Sequence, residues 1–324
     1  MNMTDVLRRY EPDLRQVEEH LGRYLHSEIP FIPQVINHLI SSGGKRFRPL
    51  MLLASADLCG YRGERRYPLS AVIEFIHTAT LLHDDVVDGA ETRRGRPSAN
   101  NVWGNASVVL VGDFLYSRSF TLMTRDGDLA IIKLISETTN TMAEGEVFQL
   151  LKCGDVGITE EDYFTLIEKK TAVLIAAACA VGALMAGASP DRVEALRAFG
   201  HAMGLAFQLT DDTLDYVAAE KEFGKAIGMD IREGKITLPL IRTLARCTAG
   251  EKETIRGIVE RKQATDEDIA AVFGLIGKYD GIPYALDRAR TIIADGKARL
   301  APFRDGEAKA ALLAMADFIA ERTL

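Results

Sequence analysis

The chain has 324 residues, of which 47% are apolar, 26% charged and 7% aromatic, and its formal net charge is −7. This composition is typical of a folded globular protein with enough apolar material for a core. The negative charge, with basic residues only in short groups, argues against a nucleic-acid-binding surface.

Domain organisation and compartment follow from what the sequence lacks. The length would allow two domains, but no Pro/Gly/Ser-rich linker divides the chain, so we predict one domain over residues 1–324. The N-terminal residues carry charges where a signal peptide needs an apolar run. Cysteines form no CxxC or Cys/His pattern, which predicts reduced, mostly buried thiols in the cytoplasm. These cysteines are Cys59, Cys153, Cys179 and Cys247.

Helical periodicity runs through almost the whole chain, and no alternating apolar run bounded by hairpin turns appears. The protein is therefore predicted to be all-α. Residues 172–188 lack polar side chains, but Ala and Gly dominate, and the run is shorter than the ~20 strongly apolar residues that a membrane span needs. We expect a central, closely packed helix there. The predicted helices lie near residues 4–25, 31–41, 47–58, 68–88, 98–125, 128–152, 159–187, 190–218, 236–247, 251–262, 266–278, 281–301 and 307–322.

The first polar motif, residues 43–49, reads Gly-Gly-Lys-Arg-Phe-Arg-Pro. Free backbone amides together with Lys45 and Arg48 would suit a phosphate group. The alternative is a solvated turn before the next helix.

Three aspartates, Asp84, Asp85 and Asp88, stand on the last turn of the helix predicted over 68–88. Carboxylates at a helix C-terminus face the negative end of the dipole, and Asp84 and Asp88 also repel each other at i,i+4. Each effect costs ~0.3–1 kcal/mol. A divalent cation bound by Asp84 and Asp88 would offset both effects. A solvated helix end neutralised by Arg93 and Arg94 is the alternative.

Asp211, Asp212 and Asp215 repeat this spacing on a second apolar helix. Two copies of one unfavourable arrangement are hard to ascribe to chance. The repetition therefore favours cation binding over a solvated helix end.

Other polar residues stand near these clusters, each with a structural alternative. His77 precedes the first cluster by two turns and by itself fits a hydrogen-bonded core histidine. Lys170 and Thr171 open the alanine-rich helix and would serve equally as its cap. Lys225 and Lys235 lie in a glycine-containing loop that either covers a ligand or merely joins two helices.

Taken in order, these motifs resemble those of the trans-type polyprenyl diphosphate synthases, over nearly the whole chain. The resemblance is greatest to the long-chain bacterial enzymes that make the side chains of respiratory quinones. We see no departure from the family pattern at the positions concerned. The motifs are GGKRFRP, FIHTATLLHDDVVD, ETRRGRPSAN, GDFLYSRSF, EKKTA, FQLTDDTLDY and GKAIGMDIREGKITLPL.

The resemblance implies an isoprenoid synthase-type helical bundle around a central cavity, with the two aspartate-rich helices facing each other across its mouth. It also implies a homodimer, whose product is passed to a membrane. Mg2+, in up to three ions bound with substrate diphosphate, would be the cofactor. Asp84, Asp88 and Asp211 would be the principal ligands, and the full candidate set adds Asp85, Asp212 and Asp215.

The resemblance also implies two substrates, isopentenyl diphosphate and an allylic diphosphate primer. Gln208 would lie between their two sites. The allylic diphosphate would be bound by Arg93, Lys170, Thr171 and Lys225. Isopentenyl diphosphate would be bound by Lys45, Arg48, His77 and Arg94, and Lys235 is a further substrate-binding candidate.

The implied activity is head-to-tail addition of isopentenyl units to make a long all-trans polyprenyl diphosphate. Thr80 and Ile76 share the face of Asp84 on its helix, with Ala79 alongside. Short-chain enzymes of the resembling family have bulky aromatic residues at the fourth or fifth position before the first aspartate, so Thr80 and Ala79 here imply, by that resemblance, a product of roughly seven to ten isoprene units. A short-chain farnesyl or geranylgeranyl diphosphate synthase is the alternative. A terpene cyclase would not need the second diphosphate site that Arg48 and its neighbours suggest. A metal-dependent phosphohydrolase built on His83 would need further metal ligands, and a helical scaffold would leave both aspartate clusters unexplained.

Overall fold

The structure, a computed structural model, describes residues 1–40, 46–93, 95–221, 228–261 and 264–321, and it confirms the all-α prediction. Two short strands, β1 (Thr92–Arg93) and β2 (Arg96–Pro97), pair antiparallel, and a π-helical turn, Glu168–Ala172, joins α8 to α9. The helices are α1 (Met3–Tyr24), α2 (Phe31–Ile40), α3 (Phe47–Leu58), α4 (Arg66–Val87), α5 (Ala99–Trp103), α6 (Asn105–Asp126), α7 (Leu129–Lys152), α8 (Glu160–Ile167), α9 (Val173–Met185), α10 (Pro190–Lys221), α11 (Met229–Arg232), α12 (Leu238–Leu244), α13 (Ala249–Glu260), α14 (Asp266–Lys278), α15 (Gly281–Ala298) and α16 (Glu307–Glu321).

In the described part of the chain, four helices begin at a capping box. The cap side chain accepts the N–H of the third helical residue, and that residue's carboxylate accepts the N–H of the cap. Each box satisfies two amides that a helix start otherwise leaves unpaired. The boxes fix the first residues of α1, α8, α13 and α14. They are Asn2 with Asp5, Thr159 with Asp162, Thr248 with Glu251, and Thr265 with Asp268.

The chain groups into two compact units, of which the first comprises Met1–Thr139, Leu174–Gly200 and Pro302–Ala314. Its central element is α4, which packs against α1, α3 and α6. A Cβ on Gly112 of α6 would lie 2.2 Å from His83 Nε2 of α4, so a larger residue there would require the His83 ring to shift. The C-terminal end of α4, which carries the first aspartate cluster, is therefore held in a closely packed scaffold.

The second unit comprises Asn140–Val173, His201–Ala301 and Met315–Leu324. Its apolar core is shared by α8, α10 and α12 to α15, with α12 packed on α8, α14 and α15. The second aspartate cluster lies on α10 within this unit. Our prediction of a single domain over residues 1–324 stays a prediction.

The structure departs from the predicted elements at a few places where the backbone leaves regular α-helical geometry. Gly104, with φ of 80°, separates α5 from α6 inside the helix predicted over 98–125. The helix predicted over 159–187 contains the π-turn, and the β1–β2 ribbon turns at Gly95, with φ of +74°. The short α11 was not predicted either.

Two further predictions concern the apolar content of the chain. As expected, almost every residue of α9 is buried.

The four cysteines form no disulfide. The prediction that they are mostly buried is wrong: Cys179 is buried, Cys59 and Cys247 are half-buried, and Cys153 is exposed. Cys153 follows the end of α7, where its thiol donates to the carbonyl of Glu233 instead of entering the core. Within the described ranges, no helix has the length and apolar character that crossing a bilayer requires.

Candidate active site

The first aspartate cluster lies at the end of α4, and its middle residue is the most buried. Asp85 has no exposed surface, and Arg93 of β1 donates from Nε to its Oδ1 at 2.6 Å. Burial raises the pKa of Asp85, the cation of Arg93 opposes that rise, and the charge of Asp88 adds to it. Asp84 and Asp88 are partly buried. The structure thus assigns Asp85 an ion pair that anchors Arg93, while the outer two aspartates reach partial solvent.

Two residues predicted to bind isopentenyl diphosphate lie together in the first unit. Arg48 of α3 donates from Nη1 to Nε2 of His77 on α4 at 3.1 Å. This bond joins residues 29 positions apart in the sequence. It gives the Arg48 guanidinium a fixed neighbour and assigns the His77 proton to Nδ1.

Arg46, which sequence reasoning did not single out, organises the start of α3. Its backbone adopts the left-handed region, with φ of 47°. Its guanidinium donates to Glu18 of α1 at 2.5 Å and to the buried Glu74 of α4 at 2.7 Å. These two ion pairs fix the chain immediately before Arg48. Its place in the Lys-Arg-Phe-Arg run was the available signal, but the run did not show which cation turns inward.

The proposed chain-length residues also lie on α4. Ile76 and Ala79 are buried, with 1% and 0% exposure, and Thr80 is half-buried. The Thr80 hydroxyl donates to the carbonyl of His77, so it is satisfied within its own helix. A larger side chain at position 79 would have to displace packed neighbours.

In the second unit, three hydrogen bonds connect the second aspartate cluster to α8 and the π-turn. Tyr163 donates its hydroxyl to Asp212 Oδ2 at 2.7 Å, and Gln208 donates from Nε2 to Asp212 Oδ1 at 2.7 Å. Thr171 donates to Gln208 Oε1 at 2.8 Å. The predicted residues Thr171, Gln208 and Asp212 therefore belong to one network, and Tyr163 is a member that the sequence analysis missed.

The π-turn presents Lys170 and Thr171, and two glycines let neighbouring helices approach it. A Cβ on Gly145 of α7 would lie 2.7 Å from Lys169 Cβ, and a Cβ on Gly204 of α10 would lie 2.5 Å from Ala172 Cα. π-Helical turns occur frequently at functional sites because they change the direction of side chains within a helix.

Lys170 is held at this turn by an ion pair. Its ammonium contacts Glu146 Oε2 of α7 at 2.9 Å, and the pair is partly buried. Glu146 thereby keeps a cation in place on the side of the turn that faces α7.

A concentration of carboxylates surrounds the same network. Burial raises the pKa of Asp212 to about 6, its two hydrogen-bond donors oppose the rise, and the charge of Asp211 adds to it. Burial and the charges of Asp212 and Asp215 raise the pKa of Asp230 well above its usual range, against the opposing charge of Lys235. Burial also raises the pKa of Asp215, whose carboxylate accepts the backbone N–H of Asp230. A bound cation would relieve this mutual repulsion.

A cavity of about 120 Å3 lies within the second unit, next to this network. Apolar side chains of α8 and of the segment before α12 form part of its wall. Four predicted site residues line it: Lys170, Gln208, Asp212 and Lys235. Six polar residues that the sequence analysis left out of the site also line it: Gln149, Lys152, Cys153, Tyr163, Asp230 and Thr237.

Three predicted residues, Lys45, Arg94 and Lys225, lie outside the described residues. Among the residues that are described, no group of three or more His, Cys, Asp or Glu side chains is placed to hold a metal ion by itself. The carboxylates nonetheless fit Mg2+, which prefers oxygen ligands and is commonly held by one or two carboxylates together with substrate phosphates and water.

Comparison with known proteins gives consistent matches. The sequence profile of the family described as Polyprenyl synthetase matches residues 29–276. Octaprenyl diphosphate synthase of Escherichia coli (strain K12) is 42% identical over 261 residues, which cover 81% of each chain. A crystal structure of a decaprenyl diphosphate synthase from Rhodobacter capsulatus superimposes with a TM-score of 0.96 at 39% identity, covering 99% of both chains. The crystal structure of a polyprenyl synthase from Caulobacter crescentus CB15, complexed with calcium and isoprenyl diphosphate, superimposes with a TM-score of 0.94 at 40% identity. The match covers 100% of this chain and 98% of that one.

Proposed function

The chain belongs to the polyprenyl synthetase family, and from that membership we propose that it is a trans-prenyltransferase that adds isopentenyl diphosphate units to an allylic diphosphate. The product is a long-chain all-trans polyprenyl diphosphate. Similarity to octaprenyl and decaprenyl diphosphate synthases, at 42% and 39% identity, supports the long chain. The observation that carries the activity is the gathering of Lys170, Gln208 and Asp212 at one cavity.

Asp84, Asp88 and Asp211 supply carboxylate oxygens to Mg2+, in up to three ions. When bound, Mg2+ neutralises the charge that develops on the departing diphosphate. The pKa values of Asp85, Asp212 and Asp230 are raised mainly by burial and further by neighbouring carboxylates, and the second effect supports this assignment because a bound cation would lower that repulsion. A related polyprenyl synthase was crystallised with calcium and isoprenyl diphosphate, which supports the use of a divalent ion by this enzyme.

Four residues bind the allylic diphosphate, namely Arg93, Lys170, Thr171 and Lys225. Glu146 holds Lys170 in place until a diphosphate, which carries more negative charge, competes for the ammonium. Asp85 likewise holds the guanidinium of Arg93 in place through an ion pair. Both cations are therefore positioned before the substrate arrives, which reduces the reorganisation that the reaction requires.

Isopentenyl diphosphate is bound by Lys45, Arg48, His77 and Arg94. Arg48 Nη1 lies 3.1 Å from His77 Nε2, so these two side chains are already held together. Lys235 is a further substrate-binding residue. It lines the cavity, and its ammonium contacts Glu233 at 2.8 Å.

The reaction begins when the allylic carbon–oxygen bond breaks and the diphosphate leaves with the electron pair. The double bond of isopentenyl diphosphate attacks the allylic carbon and forms the new carbon–carbon bond. A proton then leaves the carbon next to the resulting cation, and the released diphosphate accepts it. Apolar side chains around the reacting carbons limit capture of the cation by water.

Product length depends on the α4 face that carries Ile76, Ala79 and Thr80. Ala79 is fully buried, and its small side chain does not narrow the path that we propose for the product, whereas a larger one would displace its packed neighbours. A second copy of the chain completes the enzyme as a homodimer. Exposed apolar residues of α6 support this, because Leu110 is 68% exposed, Phe120 39% and Val109 37%.

The purified chain, incubated with Mg2+, isopentenyl diphosphate and farnesyl diphosphate, should give long prenyl diphosphates on chromatography. Asp84→Ala and Asp211→Ala should each reduce turnover by orders of magnitude while far-ultraviolet circular dichroism stays unchanged. Asp287→Ala, which removes a 73% exposed carboxylate from α15, is the control and should keep turnover. Wild-type turnover in either cluster variant at saturating Mg2+ would exclude the metal assignment.

A further inference from the structure

Tyr163 is the one buried hydroxyl that connects α8 to the second aspartate cluster among the described residues. Its side chain is 2% exposed, and its hydroxyl is 2.7 Å from Asp212 Oδ2. We propose that Tyr163 is a positioning residue that acts through Asp212 and Gln208 on Thr171, and so fixes the groups that receive the allylic diphosphate. This inference rests on the proposed function.

The hydrogen bonds define the orientation of every group in this chain of contacts. Asp212 uses one oxygen for Tyr163 and the other for Gln208. Because a carboxylate only accepts, the amide nitrogen of Gln208 must face Asp212, and its oxygen must then face Thr171. The Thr171 hydroxyl donates to that oxygen at 2.8 Å.

Without the Tyr163 hydroxyl, this orientation would not be fixed. Asp212 Oδ2 would lose its donor in a partly buried place, and the carboxylate would rotate towards another partner. Gln208 would then lose the acceptor that distinguishes its nitrogen from its oxygen. The Thr171 hydroxyl would no longer have a single partner, so the allylic diphosphate would meet an unordered group.

The surroundings of Tyr163 hold its ring in place, so a substitution can remove the hydroxyl without changing the packing. Its ring packs edge-on against Phe164, with centroids 5.6 Å apart, and it belongs to the apolar core of the second unit. The capping box of Thr159 and Asp162 fixes the start of α8 just before it. Tyr163→Phe therefore keeps the packing and removes only the hydroxyl.

Two measurements test the proposal on the full-length protein with Mg2+. Tyr163→Phe should lower kcat/KM for farnesyl diphosphate about ten- to a hundredfold, as for loss of a hydrogen bond to a charged group, and leave KM for isopentenyl diphosphate within about twofold. Calorimetric titration with a thiodiphosphate analogue of the allylic primer, which ionises poorly, should show weaker binding by a similar factor. Tyr10→Phe is the matched control, because Tyr10 is also 2% exposed and donates to a carboxylate, Asp57, far from these residues in the sequence. It should keep kcat/KM.

A double-mutant cycle tests whether Tyr163 acts through Gln208. In a Gln208→Leu background, Tyr163→Phe should have almost no further effect, because the contact through which it acts is already absent. Additive losses would overturn the proposal, as would wild-type kcat/KM in Tyr163→Phe. If Tyr163→Phe loses helicity, Asp212→Asn replaces it as a variant of equal size, and wild-type analogue binding there overturns the proposal. A wild-type chain with no prenyl transfer would instead refute the proposed function.

Discussion

Gly204→Ala adds one methyl group where α10 crosses the π-turn. The new Cβ would lie 2.5 Å from Ala172 Cα and 3.0 Å from Ala172 Cβ. Ordinary contact begins at 3.4 Å, so the backbones must separate by about 0.9 Å. The atom in the way is backbone, and no side-chain rotation can relieve the contact.

The expected effects are a loss of stability and a loss of activity. Overpacking costs typically ~1–3 kcal/mol, and the direct backbone clash points to the upper end. Alanine regains ~1 kcal/mol of helix propensity, which leaves a net loss of roughly 2 kcal/mol. Thr171 and Gln208 are 2.8 Å apart across the same crossing. A separation near 0.9 Å would break this hydrogen bond, so prenyl transfer should fall with it.

Thermal unfolding and product formation measure the two effects on the same samples. The unfolding midpoint of Gly204→Ala should drop by about 4 °C, at roughly 2 °C per kcal/mol. Gly274→Ala is the control, because a Cβ at this exposed position in α14 meets nothing within 4 Å. It should stabilise the chain by ~0.5–1 kcal/mol and leave activity unchanged. If Gly204→Ala also raises the midpoint and keeps activity, the close crossing at the π-turn is wrong.

Other substitutions test the remaining assignments. Arg48→Ala removes a charge-assisted donor worth ~1.5–3 kcal/mol, so KM for isopentenyl diphosphate should rise roughly ten- to a hundredfold. An equal rise for the allylic primer would contradict the division of substrate roles. Ala79→Tyr puts a ring where the wild-type side chain is fully buried, and products should shorten to about three or four isoprene units; an unchanged distribution on chromatography would exclude this path for the product. Glu251 has a pKa lowered from 4.5 to about 2 by Lys278, Tyr279 and its capping box, so its stabilising charge is present above pH 4.5 and lost as pH falls towards 2. Glu251→Gln should therefore have a lower unfolding midpoint than wild type near neutral pH, and a gap that persisted towards pH 2 would refute the ion pair.

The sequence predicted most helices because an amphipathic period is a local signal. Errors arose where one residue decides the outcome. The predicted start at 251 should have been 249, since the box formed by Thr248 and Glu251 marks the cap. Gly104 is a sequence signal for the break inside the helix predicted over 98–125. The π-turn has no such signal, because Glu168–Ala172 contains neither glycine nor proline.

The candidate site was predicted in part for the same reason. Spacing at i,i+4 identified Asp84 and Asp88 as an unfavourable pair, and family resemblance identified Arg48 and His77, which the structure places in contact. Tyr163 was missed because its role depends on a residue 49 positions away. In sequence it reads as one more aromatic side chain of a core helix.

The π-turn has a consequence for insertions and deletions in this part of the chain. A π-turn, with i→i+5 hydrogen bonds, holds one residue more than an α-helical turn. Deleting one residue within Glu168–Ala172 would therefore leave a regular α-helical turn and change the direction of the side chains in it, Lys170 and Thr171. Tyr163 and Thr171 both bond to residues of α10, and the shortened chain would keep the bond of Tyr163 and lose that of Thr171. In this segment a change of length by one residue should therefore damage the enzyme more than most substitutions, even one that preserves the helical character of every remaining residue.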